Sequence, residues 1–177
     1  VDGASFNGVR EDSAGRIWRG GQARYSGQGT SMVLTRQLAA GGVDPMFGPG
    51  WRGYDLSMGD EFGGLMLPVG GGMYVVGHSY LGASTSFAGV VLRVGADGSL
   101  EPSFGSAAFP GAAVIDPGPG ADRLFTIAGT SAGQILAGGT VDVVGGSDAL
   151  VVGLTSTGAL DPAFGAGGLA TFDRAAD

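Results

Sequence analysis

The sequence predicts an all-β chain, a β-propeller-like array of three four-stranded antiparallel blades, and three observations carry that reading. The first is a motif written three times, as Asp44-Pro45-Met46-Phe47-Gly48, Glu101-Pro102-Ser103-Phe104-Gly105 and Asp161-Pro162-Ala163-Phe164-Gly165, its phenylalanines 57 and 60 residues apart. The second is a glycine-bounded apolar stretch at residues 15–20, 72–77 and 133–138, whose starts lie 57 and 61 residues apart. Periods in this range point to propellers, solenoids or arrays. The third is composition: 38 glycines, no cysteine and 44% hydrophobic residues suit short buried strands joined by tight turns.

At 177 residues the chain is long enough for one repeat domain with a real core. It divides into units of about 1–57, 58–117 and 118–177. Each unit reads as four strands. The first falls at residues 5–10, 64–68 and 124–128, and the second is the glycine-bounded stretch. A third follows at 32–38, 90–94 and 150–154, and a fourth at 51–54, 112–115 and 169–172. Glycines close the turn between strands one and two at Gly15, Gly72 and Gly133, where a positive φ is expected. The turn between strands three and four carries Gly41, Gly98 and Gly158; Asp97-Gly98 is a hairpin signal on its own.

The repeated motif has a physical reading as a hairpin terminator. Pro45, Pro102 and Pro162 fix φ and withhold an N–H, ending the ladder. The preceding acid (Asp44, Glu101, Asp161) can accept backbone N–H bonds in a local turn, less readily through the longer arm of Glu101. Phe47, Phe104 and Phe164 supply a large apolar plug, and Gly48, Gly105 and Gly165 release the backbone for the next bend.

These residues resemble the bacterial delta-60 repeat family. Its units carry a Gly-Lys-Ile-like strand bounded by glycine and, after an Asp-Gly-Ser-like turn, a Leu-Asp-x-Ser-Phe-Gly-like motif; the nearest matches here are residues 97–105 and 160–165. The first unit departs most, with Gly42-Val43 in place of Ser-Leu and Arg19 inside the second strand. The resemblance implies blades of a large secreted or cell-surface bacterial protein, and it brings no catalytic residues with it.

Charge and residue types narrow the function. The formal charge is −7 and all nine basic residues are arginines. An acidic chain without a basic stripe is a poor fit to nucleic acid, and no apolar run reaches the roughly 20 residues needed to insert in a membrane. Without lysine there is no Schiff-base or phosphate-loop lysine chemistry. One histidine and no cysteine leave no typical zinc site and no acyl-transfer triad, and no calcium-loop motif occurs. No cofactor or metal is expected. The chain opens at Val1 with neither methionine nor signal peptide, which reads as a processed product or a piece of something longer.

Three blades leave two apolar faces bare, whereas propellers have about four to eight. Something is expected to cover them, either further repeats of a longer parent chain or another copy in a homo-oligomer, closed as a ring or open as a filament. The motif turns mark one end of the domain. The other end, where the copies differ, is the candidate binding site, with Arg24, Tyr25, Gln28, His78, Tyr80, Phe87, Asp142 and Asp148 in hairpin loops and Asp55, Asp60, Glu61, Asp116 and Asp122 in connections. Tyr25, Tyr80, Trp51 and Tyr54 could stack on sugars, and the connection acids could pair for glycoside hydrolysis. Read in order of preference, the chain is a non-catalytic interaction or structural module acting in adhesion or assembly, a carbohydrate-binding propeller, or, distantly, a hydrolase.

Overall fold

A computed structural model describes residues 3–27, 29–48, 50–56, 60–81 and 86–173, and for 60–65 the backbone alone. The described chain is all-β apart from one short 3-10 turn, η1 (Pro45–Phe47). The first sheet is β1 (Gly3–Glu11), β2 (Ile17–Tyr25), β3 (Gly29–Gln37) and β4 (Arg52–Tyr54), paired in that order. The second holds β5 (Asp60–Val69), β6 (Gly72–Tyr80), β7 (Phe87–Val94), β8 (Gly105–Ser106), β9 (Phe109–Pro110) and β10 (Ala112–Ile115), in the order β5-β6-β7-β10-β8-β9. The third is β11 (Arg123–Gly129), β12 (Ile135–Val143), β13 (Gly146–Leu154) and β14 (Leu169–Phe172).

The sheets therefore have four, six and four strands, where four in each was expected. The difference has a local cause. From the motif phenylalanine to the fourth strand the middle unit runs three residues longer than the others, and that excess folds back as the β8–β9 hairpin, with Gly105 pairing in parallel to Ala112.

The middle sheet lies between the other two. Along β6 and β7 side chains alternate between faces. Met73, Val75, Val90, Leu92 and Val94 pack with Trp18, Met32, Leu34 and Phe47 of the first sheet. Tyr74, Val76 and Val91 pack with Leu124, Ile135, Ala137, Leu150 and Val152 of the third. Covered on both sides, β6 is buried along its length except at Tyr80, and is apolar up to His78 and Ser79 near its far end. The outer sheets alternate instead: Met32 and Leu34 point to the middle sheet while Val33 and Thr35 point away.

Strands one to three run longer than the sequence suggested. Gly20, Gly77 and Gly138 were read as strand ends, yet β2, β6 and β12 continue past them to Tyr25, Tyr80 and Val143. The glycines answer to the partner strand. Each first strand shifts register there, between Phe6 and Gly8, Phe62 and Met66, and Leu124 and Thr126. At Gly21 and Gly139 a Cβ would come within 1.8 Å of the Ser5 carbonyl oxygen and 1.7 Å of that of Arg123. Only glycine lets the bulged backbone approach so closely.

Candidate functional site

The longer strands relocate the predicted binding end. Arg24, Tyr25, His78, Tyr80, Phe87, Asp142 and Asp148 lie in strands β2, β6, β7, β12 and β13, not in hairpin loops. Asp60 and Glu61 lie in β5, opposite Ser79 and His78, rather than in a connection; their side chains and the whole of Gln28 fall outside the described residues.

His78 is buried inside the core side of β6, with the Phe87 ring edge-on at 4.8 Å and the Phe125 ring at 6.1 Å. Tyr80 lies on Phe87, 3.8 Å between ring centroids, and Arg123 sits 4.8 Å from the same ring. Together these side chains form an aromatic seam between the second and third sheets. Such packing holds His78 as a wall rather than presenting it to solvent.

The acids at this end organise backbone. Asp122 is fully buried, its Oδ2 accepts the Gly118 N–H at 3.2 Å, and its own N–H donates to the Phe87 carbonyl at 2.7 Å. Burial, with Asp116 nearby, pushes its carboxyl up to about 6. Asp142 accepts from Ala121 N–H at 3.0 Å and from the Ser147 hydroxyl, and these bonds hold its carboxyl below the usual range. Asp148 pairs in register with Val141, and Asp55 is exposed beyond β4. Among the described residues no three His, Asp or Glu side chains are grouped to hold a metal ion.

A better-formed surface lies on the outward face of the first sheet. There Tyr25 and Trp51 stack at 6.2 Å with planes 28° apart. Trp51 also folds over Gly53, where a Cβ would meet its ring at 3.3 Å. With Ala4, Phe6, Ala23 and Val33 they line an apolar groove of about 310 Å³. Phe6, Val9 and Trp51 are 49%, 56% and 46% exposed. Tyr25 was a predicted site residue; Phe6 and Val33 were missed, since their face is set by the bulge.

The repeated motif forms the joints between sheets. Asp44 caps η1, and its Oδ1 accepts the Met46 N–H at 2.9 Å, as Asp161 Oδ1 accepts that of Ala163 at 2.9 Å. Glu101 lays its carboxyl over Gly95 instead, where a Cβ would come within 2.6 Å of Oε1. Phe47 and Phe104 are buried, and each ring lies on the turn glycine of the following unit. A Cβ at Gly98 would stand 2.8 Å from Phe47, and one at Gly158 3.0 Å from Phe104.

Polar contacts differ between the two joints. Arg36 is buried 4.9 Å from the Trp18 ring and 5.0 Å from that of Phe47, paired with Asp44 at 2.8 Å and donating to the Ala96 carbonyl. Tyr54 donates to the Gly98 carbonyl at 2.8 Å; burial pushes its hydroxyl well above the usual value, keeping it a donor. Burial opposes charge on Asp12, but Trp18 Nε1–H and the Arg16 and Ala14 N–H groups hold its carboxyl below the usual range. The second joint has Arg93 5.0 Å from the Tyr74 ring and Gly105 N–H donating to Thr157 O at 2.8 Å.

No helix among the described residues is long and apolar enough to cross a membrane. No family model matches the chain, and no curated protein matches it either.

Proposed function

We propose that the chain is a non-catalytic interaction or structural module of a secreted or cell-surface bacterial protein, built of propeller-like blades and working by stacking with like units. One observation carries the reading: the middle sheet is covered on both faces by its neighbours, while the outward faces of the first and third sheets carry Phe6, Val9, Trp51 and Phe172 into solvent. Apolar faces of that kind mark interaction sites. Two further features support blades. The first strands β1, β5 and β11 neighbour one another from sheet to sheet, as the innermost strands of blades would, and the motif resembles that of delta-60 repeats. Light scattering at micromolar concentration tests the reading; a fully folded monomer would refute it.

A second reading has a specific observation of its own. The stacked, part-exposed Tyr25–Trp51 pair beside an apolar groove offers the flat face on which a sugar ring packs. A glycan array followed by titration of the Tyr25→Ala and Trp51→Ala variants decides it. Saturable binding that both variants abolish would make carbohydrate recognition the first reading.

A further inference from the structure

We infer that this chain joins a second copy of itself head to tail, the Phe164 end of one copy seating on the Gly41 turn of the other. The inference rests on the module reading and deepens it by naming the joint. Its basis is a contact that the described residues make twice and leave half-made in the first and third units. In both internal joints the motif phenylalanine of one unit lies on the turn glycine of the next, and Phe47, Gly98, Phe104 and Gly158 are all buried. Carbonyls of the receiving turn accept bonds from the preceding unit, at Asp97 from Arg52, at Gly98 from Tyr54 and at Thr157 from Gly105.

Among the described residues the first unit carries the same turn with nothing on it. Gly41 N–H donates to Leu38 O at 2.8 Å, as Gly98 does to Gly95 O at 3.1 Å and Gly158 to Thr155 O at 3.0 Å. Its φ of 92° matches 83° at Gly98 and 82° at Gly158. Yet Gly41 is exposed, and a Cβ built there would meet no atom within 4 Å. At the opposite end Phe164 holds the position of Phe47 and Phe104, its N–H bonded to Asp161 O as theirs are to Asp44 O and Glu101 O, and it remains only half-buried.

One end thus offers a formed receiving turn and the other a formed ring. The flanking faces are both apolar, with Leu136, Val151 and Phe172 on the outward face of the third sheet and Phe6 and Trp51 on that of the first. The occupant that continues both established interfaces is another copy of the same chain, in a heterologous joint rather than a twofold-symmetric one. The third unit has Leu136 and Gly153 where the inner joints have aromatic and arginine side chains, so the outer joint rests on the Phe164 ring without a stacked cation.

Sedimentation of the chain and two one-sided variants tests this. Phe164→Ala removes the ring and keeps the turn. Gly41→Asn fills the receiving turn with a residue that tolerates positive φ, and keeps the ring. Each alone is expected to associate about tenfold more weakly than the parent chain, or worse. Mixed in equal amounts they are expected to give a one-to-one complex, because one intact joint remains. Should Gly41→Asn lose the folded circular-dichroism signal, Val43→Glu on the exposed neighbour replaces it. A parent chain that assembles while the variants assemble equally, or a mixture that stays monomeric, overturns the joint and leaves the module reading standing. A folded parent monomer overturns both, and glycan binding in the Tyr25–Trp51 groove by such a monomer would identify the other occupant of that face.

Discussion

The two internal joints do the same job with different chemistry. Between the first and second sheets the contact is centred on a buried cation, Arg36, held by Asp44 and lying against both the Trp18 and the Phe47 ring, which also touch each other. Between the second and third sheets Phe104 and Tyr74 pack at 5.4 Å within a larger aliphatic cluster, and the bond across the joint described there is backbone to backbone. The shared part is the ring on the glycine. A repeat can therefore exchange its surrounding chemistry as long as that single steric fit is kept, whereas a charge at the joint makes it sensitive to loss of one partner.

The largest expected effect comes from breaking the charged joint. Asp44→Ala leaves Arg36 buried without its carboxylate and is expected to destabilise the chain by about 3–5 kcal/mol in urea unfolding. The double replacement Arg36→Met with Asp44→Ala should recover much of that loss, since two charges no longer need desolvating. Equal losses in the single and double variants would show that packing, not charge, holds the first joint.

Next comes pH dependence at the end of the sheets opposite the motif turns, where Asp122 bonds the Phe87 carbonyl and the Gly118 N–H. Its carboxyl titrates at about 6 in the folded chain against 3.8 in the unfolded one. The folded state therefore holds the proton more tightly. This contribution is fully present below about pH 3.8 and is lost as pH rises through about 6, a change of at most about 3 kcal/mol. Asp122→Asn should flatten stability across that window; a profile unchanged by the substitution would remove Asp122 as its source.

The shared fit itself is tested by adding one carbon. Gly98→Ala and Gly158→Ala bring a Cβ against a phenylalanine ring and strain a positive φ, for an expected loss of about 2–4 kcal/mol. Gly41→Ala meets open space, so only the backbone term of about 1 kcal/mol remains. The smallest effect is expected at Asp161→Ala, which removes the turn bond from Ala163 N–H and the bond from Gln134 Nε2–H but leaves no buried charge, and should shift the urea midpoint less than Asp44→Ala does.

Much of this architecture was legible because periodic residues report a repeated local need. The proline and phenylalanine of each motif and the turn glycines Gly15, Gly41, Gly98, Gly133 and Gly158 stand where the repeat places them, and the fourth strands agree to within one residue at the start of β4. In the middle unit the positive φ falls at Gly70 and Gly71 instead, and Gly72 already opens β6. Strand lengths were not legible, since the polar residues His78 and Asp142 at the far ends of β6 and β12 look like loop residues until the aromatic seam and the Ala121 and Ser147 bonds that hold them are seen. The turn glycines that Phe47 and Phe104 cover were hidden for another reason: each lies in the following unit, and no spacing within one unit points to it. Asp44 bonds the turn N–H that its place in the motif calls for, whereas the burial of Asp12 and Asp122 leaves no mark in the sequence.

The register shift shared by β1, β5 and β11 has a bearing on how such a chain avoids fibrils. A long regular strand at the border of a sheet is a template on which foreign strands can add, and a bulge twists that border out of register. The opposite borders are blunt for another reason, being β4 and β14 of three and four residues and the two-residue β9, whose Pro110 has no N–H to offer. With both kinds of border closed to strand addition, growth is left to the flat faces, where it is limited by shape instead of by the unlimited pairing of backbone.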